Sequence, residues 1–153
     1  MTTPLNLAVI GYFGLGRMEL LLLIIPLCIL PVIFYMITLQ NTFKIISPEN
    51  RKMEPGKVWL SLIPIFGTVW QFMIINRLAD SLKAEYAKRN LPVNEDRPGV
   101  SIGVTYCILN CCTIIPFLGY LAGLGGLVCW IIYWVKINNY KQQLMYSQSG
   151  NSI

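Results

Sequence analysis

The sequence contains no histidine, and only 12% of its 153 residues are charged, whereas soluble domains carry about 25%. Without histidine, a metal site would depend on cysteine and carboxylate alone. Paired carboxylates, nucleophile triads, phosphate-binding loops and nucleic-acid-binding patches are also missing. The scarcity of charge excludes a soluble globule, a disordered tail and a small secreted disulfide scaffold. We therefore expect no enzyme, no cofactor, no metal and no nucleic-acid partner.

Hydrophobic residues, in contrast, make up 55% of the chain and lie in three uncharged runs, at 20–39, 58–76 and 98–135. A helix needs about 20 apolar residues to cross a hydrocarbon core of about 30 Å. The first run is long enough for one span and the last for two. The sequence therefore predicts an all-α integral membrane protein, a single membrane domain over residues 1–153 whose topology depends on the middle run.

The first predicted span covers residues 19–40 and contains two prolines, which membrane helices tolerate when neighbouring groups satisfy the freed carbonyls. Residues 1–17 lack the basic start of a signal peptide. Gly11, Gly14 and Gly16 disfavour a long helix there. We expect an interfacial segment that precedes the first span.

The middle run, residues 58–76, is interrupted at Pro64 and Gly67. The seven residues before the break give about 10 Å of helix, too short to cross a membrane. This run is therefore predicted to be broken or re-entrant. An amphipathic cytoplasmic helix follows at 77–90, because apolar residues recur there every four positions.

The last run predicts two spans, at 100–115 and 118–135, joined by a turn around Pro116. A polar tail follows at 136–153, with its last residues expected to be disordered.

Charge placement predicts the orientation, since eleven of the twelve basic residues follow the first span. If residues 58–76 crossed fully, the basic groups of 77–97 would lie opposite those of 44–57, against the positive-inside rule. If they are re-entrant, all eleven lie in the cytoplasm together with the C-terminus. Three spans plus one re-entrant segment is the predicted arrangement, and four full spans is the alternative.

Two stretches echo each other: residues 63–67 read IPIFG and residues 115–119 read IPFLG. Internal repeats with broken helices are common in transporters. Tryptophan follows the glycine by three residues in one copy and by eleven in the other, however. We interpret the echo as chance similarity between apolar segments.

Residues 41–85 contain an Ile-Pro-x-x-x-x-x-Trp hairpin followed by an amphipathic helix, in the stretch SPENRKMEPGKVWLSLIPIFGTVWQFMIINRLADSLKAE. This pattern resembles small multi-pass bacterial membrane proteins of uncharacterised families. The resemblance implies a bacterial inner-membrane location and carries no activity with it.

The polar and small residues of the last two spans are predicted to serve helix packing. Cys107, Cys111, Cys112 and Cys129 have the character of small apolar contacts. Glycines four apart let two backbones approach closely, and an intramembrane amide usually faces another helix. The predicted packing residues are Gly119, Gly123, Gly126 and Asn110.

We expect a non-enzymatic membrane scaffold or interaction protein, oligomeric with itself or bound to another membrane protein. Its basic cytoplasmic face would bind a partner or anionic lipid. A small oligomeric channel or transporter is the alternative, although the spans lack the charged residue that transport sites usually need. A lipid-modifying enzyme ranks third. The residues predicted to form the basic face are Arg51, Lys52, Lys57, Lys83, Lys88 and Arg89.

Overall fold

The structure, a computed structural model, describes the backbone of residues 4–150 and the side chains of residues 19, 21, 22, 24–27 and 29–149. Helices make up 78% of the chain, and the described residues contain no strand. The predicted all-helical class is confirmed.

Within residues 4–150, four α-helices and one 3₁₀ helix follow one another. They are α1 (Pro4–Ile45), the 3₁₀ helix (Pro55–Leu62), α2 (Phe66–Lys88), α3 (Val100–Cys112) and α4 (Leu118–Gly150). The chain divides into two compact units, Met1–Tyr35 and Met36–Ile153, and the division falls inside α1.

Helix α1 begins earlier than the sequence predicts. Its first residue is Pro4, and a proline suits this position because the first turn has no acceptor for its N–H. The expectation that Gly11, Gly14 and Gly16 would prevent a long helix is wrong, since the backbone is helical through all three. Pro26 and Pro31 lie inside the same helix, as expected.

Within the second unit, α3 packs against both α2 and α4, and the 3₁₀ helix packs against α2. The apolar stripe of α2 explains this: Leu78, Leu82 and Tyr86 recur every four residues and are all fully buried. The Tyr86 hydroxyl donates a hydrogen bond to the Tyr140 carbonyl at 3.0 Å. The predicted amphipathic helix therefore forms part of the core of this unit.

Two predicted boundaries differ from the structure. Helix α3 ends at Cys112, three residues before the predicted end of its span. The predicted polar tail is helical as far as Gly150, because α4 continues and buries Ile137 and Leu144 completely. These two residues lie seven apart and thus share one helix face. Residues 151–153 lie outside the described residues.

In the part of the chain that the structure describes, two helical stretches, Ile24–Ile45 and Leu118–Ser149, are long and apolar enough to cross a membrane. Helix α3 is also apolar, but its 13 residues span only about 20 Å. Large apolar side chains of α1 and α4 are exposed, among them Leu27 at 70% and Leu121 at 75%.

Candidate functional site

The break in the middle run is a tight turn between the 3₁₀ helix and α2, which we call the first turn (residues 63–67). Ile65 has φ 67° and ψ −58°, and the Phe66 N–H donates to the Pro64 carbonyl at 2.7 Å. This is a γ-turn of the rare, strained kind. The Gly67 N–H then donates to the Ile63 carbonyl at 2.6 Å. The structure thus has a break where the sequence predicts one.

The second turn (residues 115–119), between α3 and α4, has the same construction. Phe117, like Ile65, follows the proline and has a positive φ of 76°. The Gly119 N–H donates to the Ile115 carbonyl at 2.9 Å, as the Gly67 N–H does to that of Ile63. The two turns thus share a positive φ after the proline and one backbone hydrogen bond, while the interpretation of the sequence echo as chance similarity stays a prediction.

Each turn closes on a glycine that leaves no room for a side chain. A Cβ on Gly67 would lie 2.0 Å from the Ser61 carbonyl oxygen, and one on Gly119 would lie 2.8 Å from that of Thr113. In both copies the obstructing oxygen belongs to the residue six positions earlier. The glycines let the arm before the turn approach the helix after it.

The tips of both hairpins expose large apolar side chains. Ile65 is 90% exposed in the first turn, and Phe117 is 96% exposed in the second. Ile114 and Tyr120, which flank the second turn, are 83% and 87% exposed. Neighbouring exposed residues of this size form an apolar surface that typically marks contact with a membrane or a partner.

The strain at Ile65 gives a testable expectation. A β-branched residue at positive φ costs about 1–3 kcal/mol, while glycine adds about 0.5–1 kcal/mol of unfolded-state entropy. Ile65→Gly should therefore raise the free energy of unfolding by about 1 kcal/mol, measured by thermal unfolding in detergent. Ile63→Gly is the matched control, since Ile63 has an ordinary φ of −73°, and it should lower stability. Equal losses in both variants would show that the turn is not strained.

At the other end of α2, a polar cluster joins three parts of the chain. We define it as Ser47, Asn50, Glu85, Arg89 and Ser147. The fully buried Glu85 carboxylate accepts hydrogen bonds from the Ser47 N–H at 3.2 Å, the Ser47 hydroxyl at 2.9 Å and the Asn50 amide at 2.8 Å. Arg89 adds donors at 2.8 and 2.5 Å. Burial raises the pKa of Glu85, but the bonds from Asn50, Arg89 and Ser47 outweigh it and hold the pKa below its usual value.

The Arg89 guanidinium uses all of its donors inside the protein. Besides Glu85, it donates to the Leu144 carbonyl at 2.9 Å, to the Ser147 hydroxyl at 3.0 Å and to the Ile45 carbonyl at 3.4 Å. A guanidinium has five N–H groups, so none is left for a ligand. The prediction of Arg89 as part of a binding face is wrong, because its side chain is only 16% exposed and ties α1, α2 and α4 together.

Further ion pairs surround the same end of the unit. Asp80 pairs with Arg97 at 2.8 Å and Lys83 with Asp96 at 3.1 Å. Glu95 pairs with Lys136 and also accepts the Gly99 N–H at 2.9 Å. The hydrogen bond from Lys136 is the main reason that the pKa of Glu95 is lowered. The charged groups thus gather at the end opposite the two apolar tips.

The other predicted basic residues have different surroundings. Arg51 donates to the Ile46 carbonyl at 3.0 Å and to that of Lys44 at 3.2 Å, and so caps the end of α1. Lys57 pairs with Glu54 at 3.3 Å and Lys88 with Glu49 at 3.0 Å. Lys52 is exposed and has no carboxylate in ion-pairing distance among residues 19–149 whose side chains are described. Of the six predicted basic residues, only Lys52 has neither an ion pair nor a side-chain hydrogen bond in that part of the chain.

The predicted packing glycines divide into two groups. Gly126 is buried, and a Cβ there would make ordinary contact with Leu109 at 3.7 Å, so it faces α3. Gly123 faces open space, and the Asn110 side chain is exposed. Gly123 therefore makes no close helix contact within the chain, and the packing role of Asn110 stays a prediction. A contact of Gly123 with a second copy stays a prediction.

The cysteines do not gather into a redox or metal site in the described part of the chain. Cys107 is buried, Cys111 is exposed, Cys112 and Cys129 are half-buried, and all four are free thiols. No group of three or more His, Cys, Asp or Glu side chains that could hold a metal lies among the described residues. Cys28 lies outside the described side chains.

A cleft of about 680 Å³ opens beside the polar cluster, with Lys88, Leu91 and Gln148 among its lining residues. Its charged groups, the buried Glu85 and the partly buried Arg89, already bind each other and the neighbouring backbone. The four-residue spacing of Glu85 and Arg89 indicates an ion pair on an exposed helix, but nothing in the sequence predicts the burial of Glu85 or the bonds to Ser47 and Ser147.

Comparisons of the chain with protein-family models, with curated proteins and with solved structures find no match. The resemblance of residues 41–85 to small bacterial membrane proteins stays a prediction.

Proposed function

We propose that the chain is a non-enzymatic scaffold of the bacterial inner membrane, built from three spans and one re-entrant hairpin. Helix α1 supplies the first span. The 3₁₀ helix, the first turn and the start of α2 form the re-entrant hairpin. Residues 100–117 and the apolar half of α4 form the other two spans, whose turn reaches the opposite side.

The polar cluster is the observation that carries this topology. Ser47 follows the first span, Glu85 follows the broken run and Ser147 follows the last span. In four full spans, Ser47 and Glu85 would lie on opposite sides of a hydrocarbon core about 30 Å thick. Their side chains are hydrogen-bonded at 2.9 Å, and Arg89 extends the same cluster to Ser147 at 3.0 Å. This geometry supports the re-entrant arrangement.

The dimensions of the two hairpins agree with it. The 3₁₀ helix has eight residues and rises about 16 Å, which takes the first turn only about halfway into the core. Residues 118–135 of α4 rise about 27 Å before the first charged residue, close to the full core. Eleven basic residues follow the first span. By the positive-inside rule, the side of the membrane that carries them is the cytoplasmic side.

A scaffold fits the charged groups better than a transport site does. The Glu85 and Arg89 side chains bind each other, and Arg89 also binds carbonyls of α1 and α4, so the pair joins the helices at the cytoplasmic end. The exposed apolar faces of α1 and α4, with the open surface at Gly123, are available to lipid or to a second copy. We propose an oligomer on this basis.

Single-cysteine labelling tests the topology. In a background without the native cysteines, Lys52→Cys, Lys88→Cys and Lys141→Cys should all react with a membrane-impermeant maleimide from the cytoplasmic side only. Phe117→Cys, in the second turn, is the matched control and should react from the outside. Labelling of position 88 from outside would establish four full spans and contradict the proposal.

Reconstitution separates the scaffold from the channel. Purified protein in liposomes should leave the permeability to K⁺, protons and a small anionic dye at the level of protein-free liposomes, while its mass in detergent exceeds that of one chain. A flux that rises with protein content would contradict the scaffold, and a monomeric mass would contradict the oligomer.

A further inference from the structure

Beside the re-entrant hairpin, the backbones of Lys52 and Arg77 are linked through the Ser81 hydroxyl. The backbone N–H of Lys52 donates a hydrogen bond to the Ser81 hydroxyl at 2.9 Å, and that hydroxyl donates to the backbone carbonyl of Arg77 at 2.6 Å. Lys52 is thereby fixed one helical turn from Arg77. Both side chains are exposed, and neither has a carboxylate in ion-pairing distance in the part of the chain that the structure describes.

Arg77 lies on the face of α2 that the preceding segment covers. Trp70 and Arg77 are seven residues apart and share this face, and the Trp70 indole N–H donates to the Lys57 carbonyl at 2.7 Å. This bond holds the 3₁₀ helix against the face of α2 that carries Arg77.

The depth of the hairpin matches the position of lipid phosphates. Arg77 lies eleven residues after Phe66, the first residue of α2, which is about 17 Å of helix. Half of a hydrocarbon core is about 15 Å. When the apolar first turn reaches the bilayer midplane, Arg77 and Lys52 therefore lie at the headgroups of the cytoplasmic leaflet.

We propose that Lys52 and Arg77 bind the phosphate of an anionic phospholipid headgroup, with its acyl chains alongside the re-entrant hairpin. Two unpaired positive charges favour a headgroup of net negative charge over one whose choline cancels the phosphate. The proposal rests on the proposed membrane topology and adds to it a lipid class and a site. The other basic residues of this face, Lys57, Lys83 and Lys88, already have carboxylate partners.

Lipid binding to the purified full chain tests the site. Short-chain phosphatidylglycerol, titrated into the protein in a neutral detergent, should bind more tightly than short-chain phosphatidylcholine. Lys52→Gln and Arg77→Gln should each weaken phosphatidylglycerol binding about fivefold, the equivalent of about 1 kcal/mol for one charge near the surface. Both variants should leave phosphatidylcholine binding unchanged.

Lys141→Gln is the matched control, because it also removes one positive charge. Lys141 lies on α4 about 35 Å of helix beyond Leu118, so its side chain is past the level of the headgroups. It should bind phosphatidylglycerol as the unchanged chain does. Equal losses in all three variants would reveal a nonspecific charge effect and overturn the site. Competition by inorganic phosphate at the same concentration as the lipid would overturn the lipid assignment in favour of a free anion.

Insertion is measured separately, so that the two proposals can fail independently. In vesicles of phosphatidylcholine alone, brominated acyl chains should quench the tryptophan fluorescence. Quenching without any preference for phosphatidylglycerol would overturn the headgroup site and leave the membrane topology standing. Absence of quenching in neutral and anionic vesicles alike would overturn both.

Discussion

Glu85→Ala is expected to lower the free energy of unfolding by about 3–5 kcal/mol, because it leaves the Arg89 charge buried without its counter-ion. It also removes the acceptor of Ser47 and Asn50, which fix the segment after α1. Thermal and denaturant unfolding in detergent measure the change. Glu49→Ala is the matched control: its pair with Lys88 is exposed on both sides, so it should cost about 0–1 kcal/mol.

The double variant Glu85→Ala with Arg89→Ala isolates the pair. Removing both charges leaves no uncompensated ion, so the double variant should be less destabilised than the sum of the two single variants. If the stability losses of the two single variants add up to that of the double variant, the two side chains act independently. If Glu85→Ala loses no more stability than Glu49→Ala, the structural role of the cluster is contradicted.

The same carboxylate sets an acid limit on stability. The folded-state pKa of Glu85 lies below the reference value of 4.5, so the unfolded chain binds the proton more readily. The contribution of Glu85 to stability is therefore fully present above pH 4.5 and is lost as the pH falls through the lower, folded-state pKa. The Glu85→Ala variant should lack this part of the acid dependence, as measured by unfolding midpoints across pH.

Gly67→Ala is the second change with a large expected effect, a loss of about 3 kcal/mol or more in the free energy of unfolding. The new Cβ would lie 2.0 Å from the Ser61 carbonyl oxygen. Because that atom is backbone, the 3₁₀ helix as a whole must move away from α2. The gain of about 1 kcal/mol that alanine usually brings inside a helix is too small to compensate.

Gly123→Ala controls for the change of residue type, since nothing lies within 4 Å of its Cβ position. It should leave the free energy of unfolding unchanged or raise it by about 0.5–1 kcal/mol. Unfolding in detergent compares the two variants. If Gly67→Ala is as stable as Gly123→Ala, the close approach of the 3₁₀ helix to α2 does not exist in solution.

The sequence by itself determined the helical class and the place of the break. A long uncharged run satisfies its backbone hydrogen bonds within itself only as a helix, and Pro64 interrupts the middle run because proline removes a backbone N–H. These are local properties, so composition and spacing carry them. The i, i+4 spacing also predicted the buried stripe of Leu78, Leu82 and Tyr86.

Only the tertiary structure decided which polar residues are buried and which are free. Glu85 and Arg89 look like surface charges along the chain, and they become buried because Ser47 and Ser147, from distant segments, complete their hydrogen bonds. In the same way, the helical end of α4 depends on burial of Ile137 and Leu144. Such contacts join residues tens of positions apart, so no local pattern encodes them. The physical reason is that the cost of burying a charge is set by its three-dimensional surroundings.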